Sequence, residues 1–231
     1  SELSRLDELV NEWSKRTGLG LGTDHITKVI QPNVNNYIIE QENGKIKAKG
    51  GIVANHKGGD FKSNSATIID YAVVNYCLNG VQVRDTIEQC NDVMRYQIIA
   101  KAGHTYSHIV HNEKPLPQKV NRVFATTDTT QTGIFKVKPN SDTLEKIALT
   151  PQHCVVMNKD VEKNAEKILQ ILDKEWYIKL AEAKVKDFYK QEKEKEMSEE
   201  ITEKKKPAPK RKTTKKDPVE EVRSEEHTSE L

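Results

Sequence analysis

The sequence predicts an α+β fold, and three observations carry that prediction. Apolar residues recur at three- and four-residue steps in the opening and late parts of the chain. Asn43-Gly44 lies between two strand-like flanks, Tyr37-Ile38-Ile39 and Lys45-Ile46-Lys47. From Gln97 to Asn158 short β-runs alternate with Pro, Gly, Asn and Asp signals. The predicted order is a β-hairpin, a helical segment, a small β-rich segment and a long C-terminal helix, followed by a disordered tail.

Leu3, Leu6, Val10 and Trp13 predict a first helix over 3–17. Its pattern is already under way at Ser1, which reads as a cut end and implies a partner surface upstream. Gly18, Gly20 and Gly22 follow. No hydrophobic strand precedes this GxGxG, so it reads as a helix terminator and link and not as a dinucleotide fingerprint. A strand over 26–30 comes next, and Pro32 breaks it. Asn43-Gly44 then offers the two positive-φ residues of a type I′ turn. On the outgoing strand Lys45, Lys47 and Lys49 project to one face while Ile46 and Ala48 project to the other. One face is cationic and the other packs. Such a ridge suits a phosphate backbone, and the plainer reading is a solvated hairpin face.

A loop, HKGGDFKSNS, ends at Ser65. Ile68, Tyr71, Ala72, Val74 and Cys77 predict an amphipathic helix over 67–78 that stops at Asn79-Gly80. Val83, Ile87, Cys90, Val93 and Met94 predict a second helix over 83–96, with Asn91-Asp92 as a point of division. The β-runs are QIIAKAG, HTYSHIV, VNRVFAT, GIFKVK and HCVVMN. A long helix over 162–196, interrupted near Asp173, takes its stripe from Ile168, Leu172, Trp176, Leu180, Ala183 and Phe188.

With 35% hydrophobic and 31% charged residues, part of the 231-residue chain cannot bury enough surface to fold. That part is 193–222, which has charge blocks and three prolines. Its cationic centre, 204–216, can hold nucleic acid loosely or serve as a solubilising tail. The last nine residues, RSEEHTSEL at 223–231, resemble the translation of a sequencing adapter and are set aside from fold reasoning. A net charge of +2 means that any basic surface must arise by local clustering. No apolar run is long enough to span a bilayer and no signal segment opens the chain, so a cytoplasmic location without membrane contact is expected. Cys77, Cys90 and Cys154 are odd in number and widely spaced, which fits reduced thiols and not a disulfide frame or structural zinc.

The remaining chemistry-bearing groups read as structural. On one strand His104 and His108 share a face and His111 points the other way, a poor arrangement for a metal. Asp70, Asp85, Glu88 and Asp92 read as a solvated helical face. His153 and Cys154 are strand neighbours facing opposite sides, unsuited to a base and thiolate. Trp176-Tyr177 can form a base-stacking platform, but spacing against Leu172 and Leu180 places the Trp in a core. No catalytic residue and no metal ligand is identified.

Taken in order, VNNYII, KIKAKGG, IIDYAVVNY, Gly80 with VRDTI, a Lys101 strand, VNRVFAT, EKIALTP and DKEWYIKLAEAKVKDF resemble the C-terminal portion of the family B DNA polymerases of tailed bacteriophages. The resemblance covers residues 5–190 and implies the end of a palm with its hairpin at 1–66 and a thumb-like α+β subdomain at 67–192. It implies a hold on primer-template DNA through Tyr37, Asn36, Lys45, Lys47, Lys49 and Gly50. Tyr37 matches the tyrosine that ends the family's lysine-rich motif. Asn35 and Asn36 stand where many relatives have lysines, and Lys45, Lys47 and Lys49 supply charge instead. The family's aspartate motifs, which bind two Mg2+ ions, are missing from the chain, so this part alone is expected not to polymerise. The implied partners are duplex DNA and the missing N-terminal part of the polymerase, in the cytoplasm of the host cell. The alternative is a stand-alone nucleic-acid-binding or scaffolding protein that binds through its basic tail.

Overall fold

The computed structural model describes residues 2–20, 25–51, 53, 58–157 and 163–204, with 2–4 and 191–204 described by main chain alone. The fold is α+β. Helix α1, Glu2–Thr17, ends where Gly18 takes φ 69° and its N–H donates to the Ser14 carbonyl at 2.9 Å. Its Leu6, Leu9 and Trp13 stay exposed.

Strands β1 (Ile26–Asn33), β2 (Asn36–Gln41), β3 (Ile46–Lys49) and β4 (Asp60–Phe61) form an antiparallel meander in that order. Three expectations change here. β1 continues through Pro32, because a register irregularity between Ile30 and Asn33 absorbs a residue that has no N–H to offer. The Asn43-Gly44 turn is not type I′: only Gly44 has positive φ, 76°, and its N–H donates to the Gln41 carbonyl at 2.9 Å. This is the three-residue loop with glycine at the left-handed position. The expected loop after the hairpin contains β4, too short to show any periodicity in sequence.

Helix α2, Ile68–Asn79, is capped by Thr67, whose hydroxyl accepts the Asp70 N–H at 3.3 Å, and closed by Gly80 at φ 71°. It is buried on most sides, not amphipathic: Ile68, Ile69, Ala72, Val73, Val74 and Leu78 are all inside. The predicted second helix is divided as its Asn91-Asp92 signal indicates, into α3 (Val83–Gln89) and a 3-10 turn (Val93–Tyr96). The Asp92 carboxylate accepts the Met94 N–H at 2.9 Å and starts the turn.

The β-rich segment forms two sheets. β5 (Ile98–Lys101), β8 (Val120–Ala125) and β11 (Cys154–Val156) order as β11-β8-β5; β6 (His108–His111), β7 (Lys114–Leu116), β9 (Phe135–Val137) and β10 (Leu144–Lys146) order as β10-β9-β6-β7. β7 and β10 lie outside the predicted runs. The β6–β7 hairpin turns at Asn112 and Glu113, both with positive φ, 48° and 61°. The two left-handed residues expected at Asn43-Gly44 are found here instead.

Helix α4, Ala165–Ile171, and helix α5, Lys174–Lys204, are separated at Leu172-Asp173, where the Asp173 carboxylate accepts the Trp176 N–H at 3.1 Å. The interruption near Asp173 is therefore present. α5 runs to Lys204, so 193–204, expected in the disordered tail, are helical. Glu, Lys, Gln and Met are good helix formers, and Pro207 stands three residues beyond the end. The rest of that expected tail, 205–222, and the adapter-like 223–231 lie outside the described residues. The buried face of α5 is set by Tyr177, Ile178, Ala181 and Phe188; Ala183 of the predicted stripe is exposed.

Two apolar clusters result. One joins Ile38 and Ala48 of the first sheet to α2, α3 and α5; the other fills the space between the two β-sheets around Ala100, Ile109, Val123, Ile134 and Cys154. The first cluster crosses from residues 1–66 to 67–192, and Ile98 packs on both clusters.

Candidate nucleic-acid interface

The lysine face is built by β-sheet geometry. Register pairs Ile30 with Ile38, Ile38 with Ala48 and Ile46 with Phe61, and these side chains form the inner face against α2 and α5. Their alternates, Val29, Ile39, Lys47 and Asp60, cross the outer face in one row, with Tyr37 and Lys49 in the next. The expected division of Lys45, Lys47 and Lys49 from Ile46 and Ala48 is present in the structure. Val29, Lys45 and Asp60 are the more exposed of the outer set, and Lys47 and Lys49 are half-buried.

This face carries a counter-charge that sequence reading did not place. Asp60, opposite Lys47 on β4, pairs with Lys45 at 3.2 Å, with about half of each side chain open to solvent. Such a pair contributes little to stability but cancels part of the local field. Lys28 belongs elsewhere: its ammonium donates to the Leu78 carbonyl in the last turn of α2 at 2.9 Å and lies 3.6 Å from Glu40.

Asn36, Gly50 and Tyr37 have internal roles. The Asn36 carbonyl oxygen accepts the Gly51 N–H at 2.9 Å, and its NH2 donates to Asn33 at 3.0 Å. Gly50 sits at φ 111°, and a Cβ there would stand 1.8 Å from the Asn36 Oδ1. The two residues lock the end of β3 to the β1–β2 turn. The Tyr37 hydroxyl lies over Gly58, where a Cβ would come within 2.7 Å of it. The Gly58-Gly59 pair is the sequence signal for that close approach.

The other chemistry-bearing groups are placed as follows. His104 lies in a bend before β6 and not on a strand, so it shares no face with His108. His111 is buried, its Nε2 2.8 Å from the Cys154 carbonyl, and burial holds its pKa below the ordinary histidine value. Asp70 is not on a solvated face. It is buried and lies 3.4 Å from the Lys184 ammonium of α5, while Asp85, Glu88 and Asp92 are exposed. Helical position alone cannot distinguish these, since burial here comes from α5, more than a hundred residues later. The Cys154 thiol is buried and pushed up to about 12 by desolvation; the His153 ring bonds the Gln131 carbonyl at 2.7 Å. Tyr177, not Trp176, is the core member of that pair. Its hydroxyl accepts the Ala125 N–H at 2.9 Å and donates to the Tyr96 carbonyl at 2.6 Å. Among the described residues no group of three or more His, Cys, Asp or Glu side chains is arranged to hold a metal ion. Cys77, Cys90 and Cys154 are not joined in disulfides, and no described helix is long and apolar enough to cross a membrane.

Comparisons of the chain with protein-family models, curated proteins and solved structures give no match.

Proposed function

We propose that this chain is the C-terminal part of a DNA-directed DNA polymerase similar to the family B enzymes of tailed bacteriophages, and that the outer face of β1–β4 grips primer-template duplex. The observation that supports this is the alignment of Lys47 and Lys49 on one side of β3, with Lys45 directly before the strand and paired on the same face to Asp60, while Ile46 and Ala48 anchor the other side in the core. Alternate strand residues stand about 6.6 Å apart, so the three lysines span about 13 Å. At about 3.4 Å of axial rise per phosphate on one strand, that length faces roughly four phosphates. Lysine acts there as a point charge with no fixed fork, so contact positions the duplex without reading its sequence. In the proposed full enzyme, two Mg2+ ions held by paired aspartates supply nucleotidyl transfer. The described residues do not fit such a site, and the part proposed for this chain is grip and alignment.

The test is fluorescence anisotropy with a primer-template duplex across a salt series, comparing the chain with its Lys45→Ala, Lys47→Ala, Lys49→Ala triple variant. The expected result is weaker binding and a log–log salt slope reduced by about 2 to 3. Unchanged affinity and slope overturn the proposal. A chain ending at Lys204 retains most of its duplex affinity on this reading; loss of binding there supports instead a stand-alone protein that binds through its basic tail.

A further inference from the structure

The β11-β8-β5 sheet has one closed edge and one open edge, and its hydrogen-bond phase identifies which groups face outward. Thr126 N–H donates to the His153 carbonyl at 3.1 Å and Met157 N–H to the Arg122 carbonyl at 2.8 Å. Arg122, Phe124 and Thr126 therefore turn their main-chain groups toward β11, and Asn121 and Val123 turn theirs toward β5. Ala102 N–H donates to the Lys119 carbonyl at 2.9 Å in the same alternation. Ile98 and Ala100 thus pair with β8, and Ile99 and Lys101 present N–H and C=O away from the sheet. The far edge at β11 is closed at Cys154, whose N–H donates to the Thr132 carbonyl at 3.0 Å and whose carbonyl meets His111. Among the described strands, β8 alone is hydrogen-bonded to β5, which leaves β5 at the edge of its sheet.

Side chains on this edge are equally distinctive. Ile99 is 57% exposed and borders a cleft of about 390 Å3 lined also by Met94 and Gln97. Lys101 shares its face two residues on, and Arg122 stands directly across from Ile99 on β8. Both cations are exposed.

We infer that the open edge of β5 docks an extended acidic peptide as a fourth strand, with an apolar side chain beside Ile99 at the cleft and a carboxylate beside Lys101 and Arg122. A peptide main chain supplies donors and acceptors in alternation and so satisfies both the N–H and the C=O of Ile99 and Lys101. A phosphate backbone only accepts, and it leaves those two carbonyls without a donor. This site is separate from the lysine face of β3 and does not depend on the polymerase reading.

The test uses the full chain, 15N-labelled, titrated with a synthetic threonine-rich peptide of about eight residues carrying valine and aspartate two positions apart. Saturable shifts at the Ile99 and Lys101 amides are expected, with slowed hydrogen exchange at both in the bound state. Lys101→Pro removes an outward N–H that makes no bond to β8 together with the ammonium that faces the peptide's carboxylate, and affinity is expected to fall about fivefold to tenfold. Replacing the peptide's aspartate by lysine is expected to weaken binding further. If Lys101→Pro perturbs folding, the exchange measurement on the unaltered chain decides alone. No saturable shift, shifts that spare both amides, or displacement of the peptide from them by a single-stranded oligonucleotide would overturn the assignment.

Discussion

Replacing Tyr177 by Phe removes one oxygen atom and, on the geometry described, two hydrogen bonds from the centre of the larger core. The Tyr177 ring is 1% exposed, stands edge-on to Tyr96 at 5.1 Å between centroids, and would remain in place. What disappears is the acceptor for the Ala125 N–H and the donor to the Tyr96 carbonyl. Each group left unsatisfied in the interior costs about 1–3 kcal/mol. The two share one hydroxyl and are not independent, so a total of about 2–4 kcal/mol is expected. For a domain of this size that is a fall in Tm of roughly 5–15 °C. Urea unfolding followed by tryptophan fluorescence is a direct assay, since Trp176 lies 5.0 Å from the Tyr177 ring. A loss below about 1 kcal/mol with an unchanged urea dependence would refute the reasoning, because it would mean that water reaches those groups.

Three further outcomes follow from the structure. Asp60→Asn releases Lys45 from its 3.2 Å pair; on the proposed duplex grip, affinity should rise several-fold at low salt and the salt slope steepen by up to about 1, as read by anisotropy. Gly50→Ala drives a methyl into the Asn36 side chain at a φ of 111°, and calorimetry should show a loss of at least about 2 kcal/mol. Burial raises the phenols of both Tyr96 and Tyr177 above the ordinary value of 10.0. Their neutral forms therefore contribute stability that is complete below pH 10 and is lost as pH rises past it. The urea midpoint should be level from about pH 7 to 9 and fall above 10, less steeply in Tyr177→Phe.

Features decided by a few neighbouring residues were legible in the sequence. Thr67 and Gly80 bound α2 through a hydroxyl and a left-handed glycine, Asn91-Asp92 divides the following helix, and Asp173 restarts the last one. The lysine alternation on β3 follows directly from strand period. What escaped depends on chain brought from elsewhere. Asp70 and Asp85 lie on neighbouring helices with similar surroundings in sequence, yet α5 covers the first and leaves the second to solvent. Pro32 reads as a breaker until a bulge takes up its missing donor. Asn36 has an internal role that its neighbours in sequence do not show: its side-chain oxygen accepts the N–H of Gly51, fifteen residues later. Tyr177 was hidden because a helical stripe drawn through Trp176 and Leu180 differs from the true one by a single residue, a rotation of about 100°.

The way α5 completes the larger core has a consequence for how the chain assembles. The smaller cluster draws on strands between Ile98 and Val156, so its partners are near one another along the chain. The larger one binds residues between Ile68 and Ile87 against Tyr177, Ile178, Ala181 and Phe188, which lie at least about ninety residues later. Closing that span carries a greater entropic cost and slows the step that depends on it. During synthesis the β-rich segment can therefore condense first, while the side of α2 that faces α5 stays uncovered until the last helix emerges. A chain cut just after Asp173 is expected to keep the two sheets of the β-rich segment and to lose the helix that covers α2, leaving apolar surface there that favours aggregation.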